Sequence, residues 1–187
     1  MVTKKRTFHQ TLTKMVICAI MMAIAGAFKA ASISLTIGGI TGQKLSFLFF
    51  VAIFAGLTQG PVWAMLVGIG GDLLGFFVFG NTGGAYFIGI TLVAGICGLL
   101  AGLVRVATRG KRIQVWLIAM TAFTVNVVCN FLNTLCISYT TYIGATNTEA
   151  FRAVFISYLL PRTVFALMVG ALYAVLMPVV VRNVRTG

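Results

Sequence analysis

"FFVAIFAGLTQGPVWAMLVGIGGDLLGFF", residues 49–77, is the stretch on which the fold turns. Two apolar runs meet at Gly60-Pro61, and one carboxylate, Asp72, interrupts the second. Proline starts a helix well, because its missing N–H falls among donors that have no helical partner there, and it cannot continue a helix that precedes it. The two runs therefore read as a helical hairpin that turns at Gly60-Pro61. Its greasiness holds for the rest of the chain: 60% of the 187 residues are apolar and 9% are charged, with a mean hydropathy of +1.06. Those values belong to a polytopic membrane protein rather than to a soluble domain.

Six spans follow, at about 12–31, 44–59, 61–79, 86–106, 113–133 and 162–181, against the roughly 20 residues needed to cross about 30 Å of hydrocarbon. The second is short. The fifth apolar stretch runs on past Asn133 to Tyr142, and residues 148–160 also look helical before Pro161. Both are longer than a membrane requires and are expected to project beyond one face. The expected fold is a single all-α unit over residues 1–187 with six transmembrane helices.

Fourteen basic residues against two acids give a net charge of +12, which raises the question of nucleic acid. Their positions exclude it. Lys4, Lys5, Arg6 and Lys14 precede the first span, Arg105, Arg109, Lys111 and Arg112 lie between the fourth and fifth, and Arg182 and Arg185 follow the last. With an even number of spans these groups share one side, which the positive-inside rule makes cytoplasmic, both termini included. The first 31 residues also resemble a signal peptide; retention as a span is the expectation, because its loss would separate the termini. The cysteines, Cys18, Cys97, Cys129 and Cys136, have neither metal-ligand nor paired spacing and read as small apolar filler.

The chemical inventory is thin. One histidine, His9, and two acids, Asp72 and Glu149, make no carboxylate pair, histidine cluster, nucleophile elbow or phosphate-binding loop. No enzyme activity, metal or cofactor is expected, and a proton relay would want more ionisable groups than these.

The polar residues inside the spans gather toward the outer side. Lys29 ends the first span, Lys44 starts the second, Asp72 lies in the middle or outer half of the third, and "FGNTGGAYF" leads to Tyr86. Asn126, Asn130 and Asn133 share a face of the fifth, Tyr139 lies beyond them, and Arg162 opens the membrane part of the sixth. A carboxylate deep in the membrane costs about 2.5–3.5 kcal/mol on insertion scales unless it pairs with a cation or faces a polar cavity. Lys29, Lys44 and Arg162 are the available cations, and the pair and the cavity both stand as readings of Asp72. For the asparagines the alternatives are helix-to-helix hydrogen bonds and ligand contacts. For Tyr86, Tyr139, Tyr142 and Tyr158 they are stacking on a ligand and an interfacial belt. An outward cavity with more cations than acids favours an anionic, partly aromatic ligand. The glycines at 38–42 and 80–84 are expected in external loops, either plain turns or lids over a site.

In "AIMMAIAGAFKAA", Ala19, Ala23, Ala27 and Ala31 recur every fourth residue, a small-residue stripe that lets another helix come close. That helix belongs either to this chain or to a separate membrane subunit.

Taken in order, the alanine stripe, "KAASI", "GPVWAMLVGIGGDLLG", "GGAYFIGITLVAGICGLLAGL", "NFLNTLCISY" and "LLPRTVFAL" resemble the substrate-binding S components of energy-coupling factor transporters, the folate family in particular, over nearly the whole chain. The resemblance implies a multi-pass protein of the bacterial plasma membrane, without enzymatic activity, that binds a vitamin from outside. It also implies docking through the alanine helix, at Ala19, Ala23 and Ala27, onto a transmembrane coupling (T) subunit with two ATPase (A) subunits, whose ATP hydrolysis topples the S component. Lys29 stands where family members often place a ligand-contacting arginine, and Asn133, Tyr139 and Arg162 fall in the other pocket segments. Lysine keeps the charge and loses the planar fork that suits a carboxylate. Folate is the first expectation for the ligand, since two carboxylates suit a net-positive mouth, and pantothenate the next. The binding residues expected are Lys29, Lys44, Asp72, Tyr86, Asn130, Asn133, Tyr139 and Arg162. A small self-sufficient channel or transporter, or a membrane scaffold that uses only the stripe, are the readings from other classes.

Overall fold

The computed structural model describes residues 2–37, 40–45, 47–78, 86–108, 114–142 and 148–186. The glycines at 38–39 and 80–84 and the basic loop residues Arg109, Lys111 and Arg112 lie outside them, as do the side chains of Lys4, Lys5, Arg6, His9, Lys44, Tyr142, Glu149, Tyr158 and Arg185.

Six helices form: α1 (Val2–Ala30), α2 (Leu48–Gln59), α3 (Pro61–Phe77), α4 (Ile88–Ala107), α5 (Val115–Tyr142) and α6 (Thr148–Thr186). Four contain segments long and apolar enough to cross a membrane, Thr11–Ala30, Ile88–Ala107, Val115–Tyr139 and Pro161–Asn183, whereas α2 and α3 are shorter apolar helices. The hairpin turns where the sequence says. Gly60 is the C-cap of α2 and the N-cap of α3 at φ 104°, a value that costs a side-chain-bearing residue and not glycine, and Pro61 opens α3. Arg105 near the end of α4 donates to the Leu57 carbonyl at 3.3 Å, giving one of the last carbonyls of α2 a cationic partner.

Two expectations are corrected. The segment between α1 and α2 is not a plain loop: β1 (Ile33–Ile37) pairs antiparallel with β2 (Ile40–Leu45). "ISLTI" alternates apolar and polar residues with β-branched members, which is strand patterning. The register shifts between Leu35 and Thr36, so that Gly42 is passed over as a bulge. The fold is thus six helices plus a small hairpin, and the second helix starts at Leu48 rather than at 44. The expected helicity of residues 148–160 is seen, and α6 runs unbroken through Pro161 and Pro178 for 39 residues. In an apolar setting neighbouring helices hold such a segment helical despite each missing N–H. At 1.5 Å per residue α6 extends about 58 Å, well past the hydrocarbon.

α2 belongs to two cores. Its Ala52, Ile53 and Leu57 pack with residues of α4, α5 and α6, including Cys97, Cys129, Tyr173 and Met177. Its Leu48, Val51 and Ala55 pack with α1, α3 and α4. Small residues set how closely the helices approach. A Cβ at Gly56 would lie 2.7 Å from the Ala101 side chain and the Gly98 carbonyl oxygen, and one at Gly98 would overlap the Ala64 carbonyl. Helices that gain nothing by expelling lipid hold together through such contacts. α1 and α3 run in the same direction with Met22 over Gly70, Ala25 over Gly71 and Lys29 over Gly75. α3 and α4 are antiparallel, with Gly68 against Ala94 and Ala64 against Gly98.

Candidate functional site

The parallel packing of α1 on α3 brings Lys29 beside Asp72, and the antiparallel return of α4 brings its first turn to the same place. Lys29 Nζ donates to Asp72 Oδ1 at 2.6 Å and to the Asp72 backbone carbonyl at 3.1 Å. Thr91 Oγ donates to Asp72 Oδ2 at 2.7 Å, and the Tyr86 hydroxyl lies 2.8 Å from Thr91 Oγ. Both carboxylate oxygens therefore have partners. Asp72 is 1% exposed, and the Lys29 side chain is 14% exposed. Lys29 Nζ also sits 5.8 Å from the Phe76 ring centroid, and the Tyr86 ring packs at 5.2 and 5.3 Å from Phe76 and Phe77. Gly75 makes room for this arrangement, since a Cβ there would lie 2.7 Å from Lys29 Cβ.

Of the three cations available to Asp72, Lys29 pairs with it among the described residues. The pair reading holds at Asp72, and it cancels the charge of Lys29 locally. Thr91 went unnoticed in the sequence because a threonine in an apolar helix usually satisfies itself on the carbonyl four residues back. Thr58, Thr121, Thr134 and Thr163 do that here.

A second polar group lies on α5 and α6. Asn126, fully buried, donates through Nδ2 to the Ala166 carbonyl of α6 at 3.0 Å, so it is a helix-to-helix bond. Asn130 Nδ2 donates back to Asn126, to its backbone carbonyl at 3.0 Å and its side-chain oxygen at 3.2 Å. Farther along α5, Asn133 Oδ1 and Ser138 Oγ are buried with no hydrogen-bond partner among the described residues. A buried polar atom without a partner costs about 1–3 kcal/mol, so each of these atoms would gain from a bound polar molecule or water. Arg162 is 7% exposed, one turn before Ala166. Tyr139 is 59% exposed. Ser138 is absent from the sequence expectations, since a lone serine near a helix end has no spacing to mark it.

From the end of α1 an aromatic chain runs into the larger core. Phe28 at the end of α1 meets Phe47 at 5.9 Å, and Phe47 meets the buried Tyr173 of α6 at 6.1 Å. The structure therefore brings Lys29, Asp72 and Tyr86 together, and sets Asn130, Asn133 and Arg162 on the neighbouring α5–α6 pair. Lys44 has its backbone in β2, with its side chain outside the described residues.

The alanine stripe faces outward. Ala19, Ala23, Ala27 and Ala31 are exposed, flanked by exposed Leu12, Met15, Val16, Ile20, Ile24 and Phe28. The opposite face of α1, with Cys18 and Ala25, enters the second core. Among the described residues nothing covers the stripe. All four cysteines are free thiols, and Cys97 and Cys129 fill the larger core. No group of three or more metal-ligating side chains occurs among the described residues.

A buried polar end, apolar helix surfaces and an exposed small-residue face are what a membrane subunit that binds a solute and docks onto a partner would show. Comparison with protein families gives a match to the ECF transporter, substrate-specific component, over residues 13–181. Comparison with curated proteins gave no match. The match spans every helix of the bundle, and the chain belongs to the family of substrate-specific components of ECF transporters.

Proposed function

We propose that this chain is the vitamin-binding subunit of an ECF-type importer, with folate as its first-choice cargo. It takes the vitamin from outside at a cavity bounded by the ends of α1, α3, α5 and α6, and delivers it by toppling within the full complex with a T subunit and two ATPases. Six membrane crossings with both termini in the cytoplasm go with this reading, supported by Lys14, Arg105 and Arg182 at the opposite helix ends from Lys29 and Arg162. The observation that carries it is the set of buried polar atoms on α5 and α6: Asn133 Oδ1 and Ser138 Oγ lack partners among the described residues, and Arg162 is buried on α6. Arg162 supplies the cation for a ligand carboxylate, Asn133 and Asn130 supply amide groups, and Tyr86 and Tyr139 supply aromatic faces. Lys44 serves at the mouth.

The Lys29–Asp72 pair favours pantothenate as the second reading. Once that pair has cancelled itself, fewer cations remain for a dianion, and one carboxylate matches Arg162.

The exposed alanine face on α1 supports docking onto the T subunit through Ala19, Ala23 and Ala27. Reconstitution tests this role. Vesicles holding this chain alone are expected to show vitamin binding without ATP-driven accumulation, which appears only when the coupling subunit and ATPases are added. Accumulation by the chain alone would establish the self-sufficient transporter instead.

A further inference from the structure

The hydrogen bonds at Thr91 have a direction that proton counting fixes. A carboxylate paired with a lysine has no proton to give, so at 2.7 Å the Thr91 hydroxyl donates its only proton to Asp72 Oδ2. The 2.8 Å contact with Tyr86 is then made by the tyrosine proton. The relay runs one way, from the Tyr86 O–H to Thr91 Oγ, and from the Thr91 O–H to Asp72, whose other oxygen receives Lys29. It joins the last turn of α1, the second half of α3, the first turn of α4 and Tyr86 just before α4.

We propose that Thr91 is a positioning residue of the vitamin site, acting through Tyr86. It anchors Tyr86 to α1 by way of Asp72, and it fixes the polarity of this corner, a deepening that rests on the vitamin-binding reading above. With its proton committed to Thr91, Tyr86 offers a ligand the lone pairs of its oxygen and its ring face beside Phe76 and Phe77. Lys29 has committed two of its three N–H groups to Asp72 and has its charge cancelled there. This corner suits a planar ring bearing N–H donors, and a ligand carboxylate belongs elsewhere, toward Arg162. The reading of Lys29 as the carboxylate-binding cation is replaced by a role in holding the relay.

The test uses the full chain in detergent, with Thr91→Val, which keeps the volume and removes the hydroxyl, and Thr91→Ser, which keeps the hydroxyl. Amide hydrogen exchange is followed at Ile90, whose N–H bonds the Phe87 carbonyl, and at Ser32, whose N–H bonds the Lys29 carbonyl. Thr91→Val is expected to raise exchange at both sites at least fivefold, and Thr91→Ser to stay within twofold of wild type. A change confined to Ile90, or equal behaviour of the two variants, overturns the relay. Folic acid is the binding probe: Thr91→Val should weaken it at least fivefold and Thr91→Ser should not. Binding of pantothenate and of no ring-bearing vitamin contradicts the assignment of this corner while leaving the vitamin-binding reading intact. If wild type binds no vitamin, the proposed function fails, and the assignment of Thr91 to a vitamin site fails with it, whatever the exchange shows.

Discussion

Lys29→Met separates the two charges of the relay and tests whether they hold the bundle. Methionine keeps the length and apolar stem of lysine, so the packing of that stem over Gly75 survives while the ammonium is lost. Asp72 is then a carboxylate 1% exposed with one remaining partner, Thr91. Removing one member of a buried pair costs about 3–5 kcal/mol, because the other charge is left uncompensated. The 14% exposure of the Lys29 side chain places this pair toward the lower end, at about 3 kcal/mol. For a chain of this size 1 kcal/mol moves the melting temperature by about 2–4 °C, so the expected loss is about 6–12 °C. The reciprocal change, Asp72→Asn, is milder: a lysine at a helix end reaches toward water when its partner goes, whereas an aspartate has no stem with which to do so. The double variant, Lys29→Met with Asp72→Asn, buries no net charge and should recover more than half of the Lys29→Met loss. Thermal unfolding in detergent, followed by loss of monodisperse protein, reads all four chains. A melting temperature for Lys29→Met within 1–2 °C of wild type, or a double variant as unstable as the sum of the singles, would refute the reasoning.

Further predictions concern the site, the docking face and the helix contacts. Arg162→Ala should weaken vitamin binding at least tenfold, an expectation of about 1.4 kcal/mol or more, with an unchanged elution profile; unaltered affinity in a folded variant removes Arg162 from the pocket. Ala23→Leu enlarges the exposed face of α1 without touching the core, so binding by the isolated chain should be preserved while assembly with the coupling subunit and uptake fall, and normal uptake would end the docking role. Gly98→Ala drives a methyl into the Ala64 backbone and should cost about 1–3 kcal/mol as α3 and α4 separate, seen as a drop in melting temperature; Leu92→Ala, on the exposed face of the same helix, should stay close to wild type.

What the sequence discloses, and what it withholds, follows from the range of the interactions. The helices were legible because apolar runs of membrane length, bounded by Gly60-Pro61 and by basic clusters, have few alternatives. The β1–β2 hairpin was missed because its glycines drew attention to turns and away from the two-residue alternation of "ISLTI" beside them. The helicity of residues 148–160 was legible too, and their continuity with the sixth span through Pro161 rests on neighbouring helices that keep the segment helical despite the missing N–H. The presence of a partner for Asp72 could be argued from cost alone. Its identity could not, because Lys29, Lys44 and Arg162 are equally eligible until α1 is laid on α3. Thr91 and Ser138 carry no spacing signal, and only the packed bundle shows one hydroxyl committed to Asp72 and the other left without a partner among the described residues. The alanine stripe was visible at once, while its orientation depends on which face of α1 meets Gly70, Gly71 and Gly75.

The central claim is that this chain, by itself, captures a vitamin. Equilibrium binding of a vitamin panel that includes folates and pantothenate, measured on the detergent-purified chain without partner subunits, tests it most directly. The account predicts tight binding of one vitamin, on the order of the nanomolar affinities that correspond to about −12 kcal/mol, at one site per chain. Absence of binding across the panel, from protein shown to be folded by its melting transition, would contradict it and leave the scaffold and channel readings in its place.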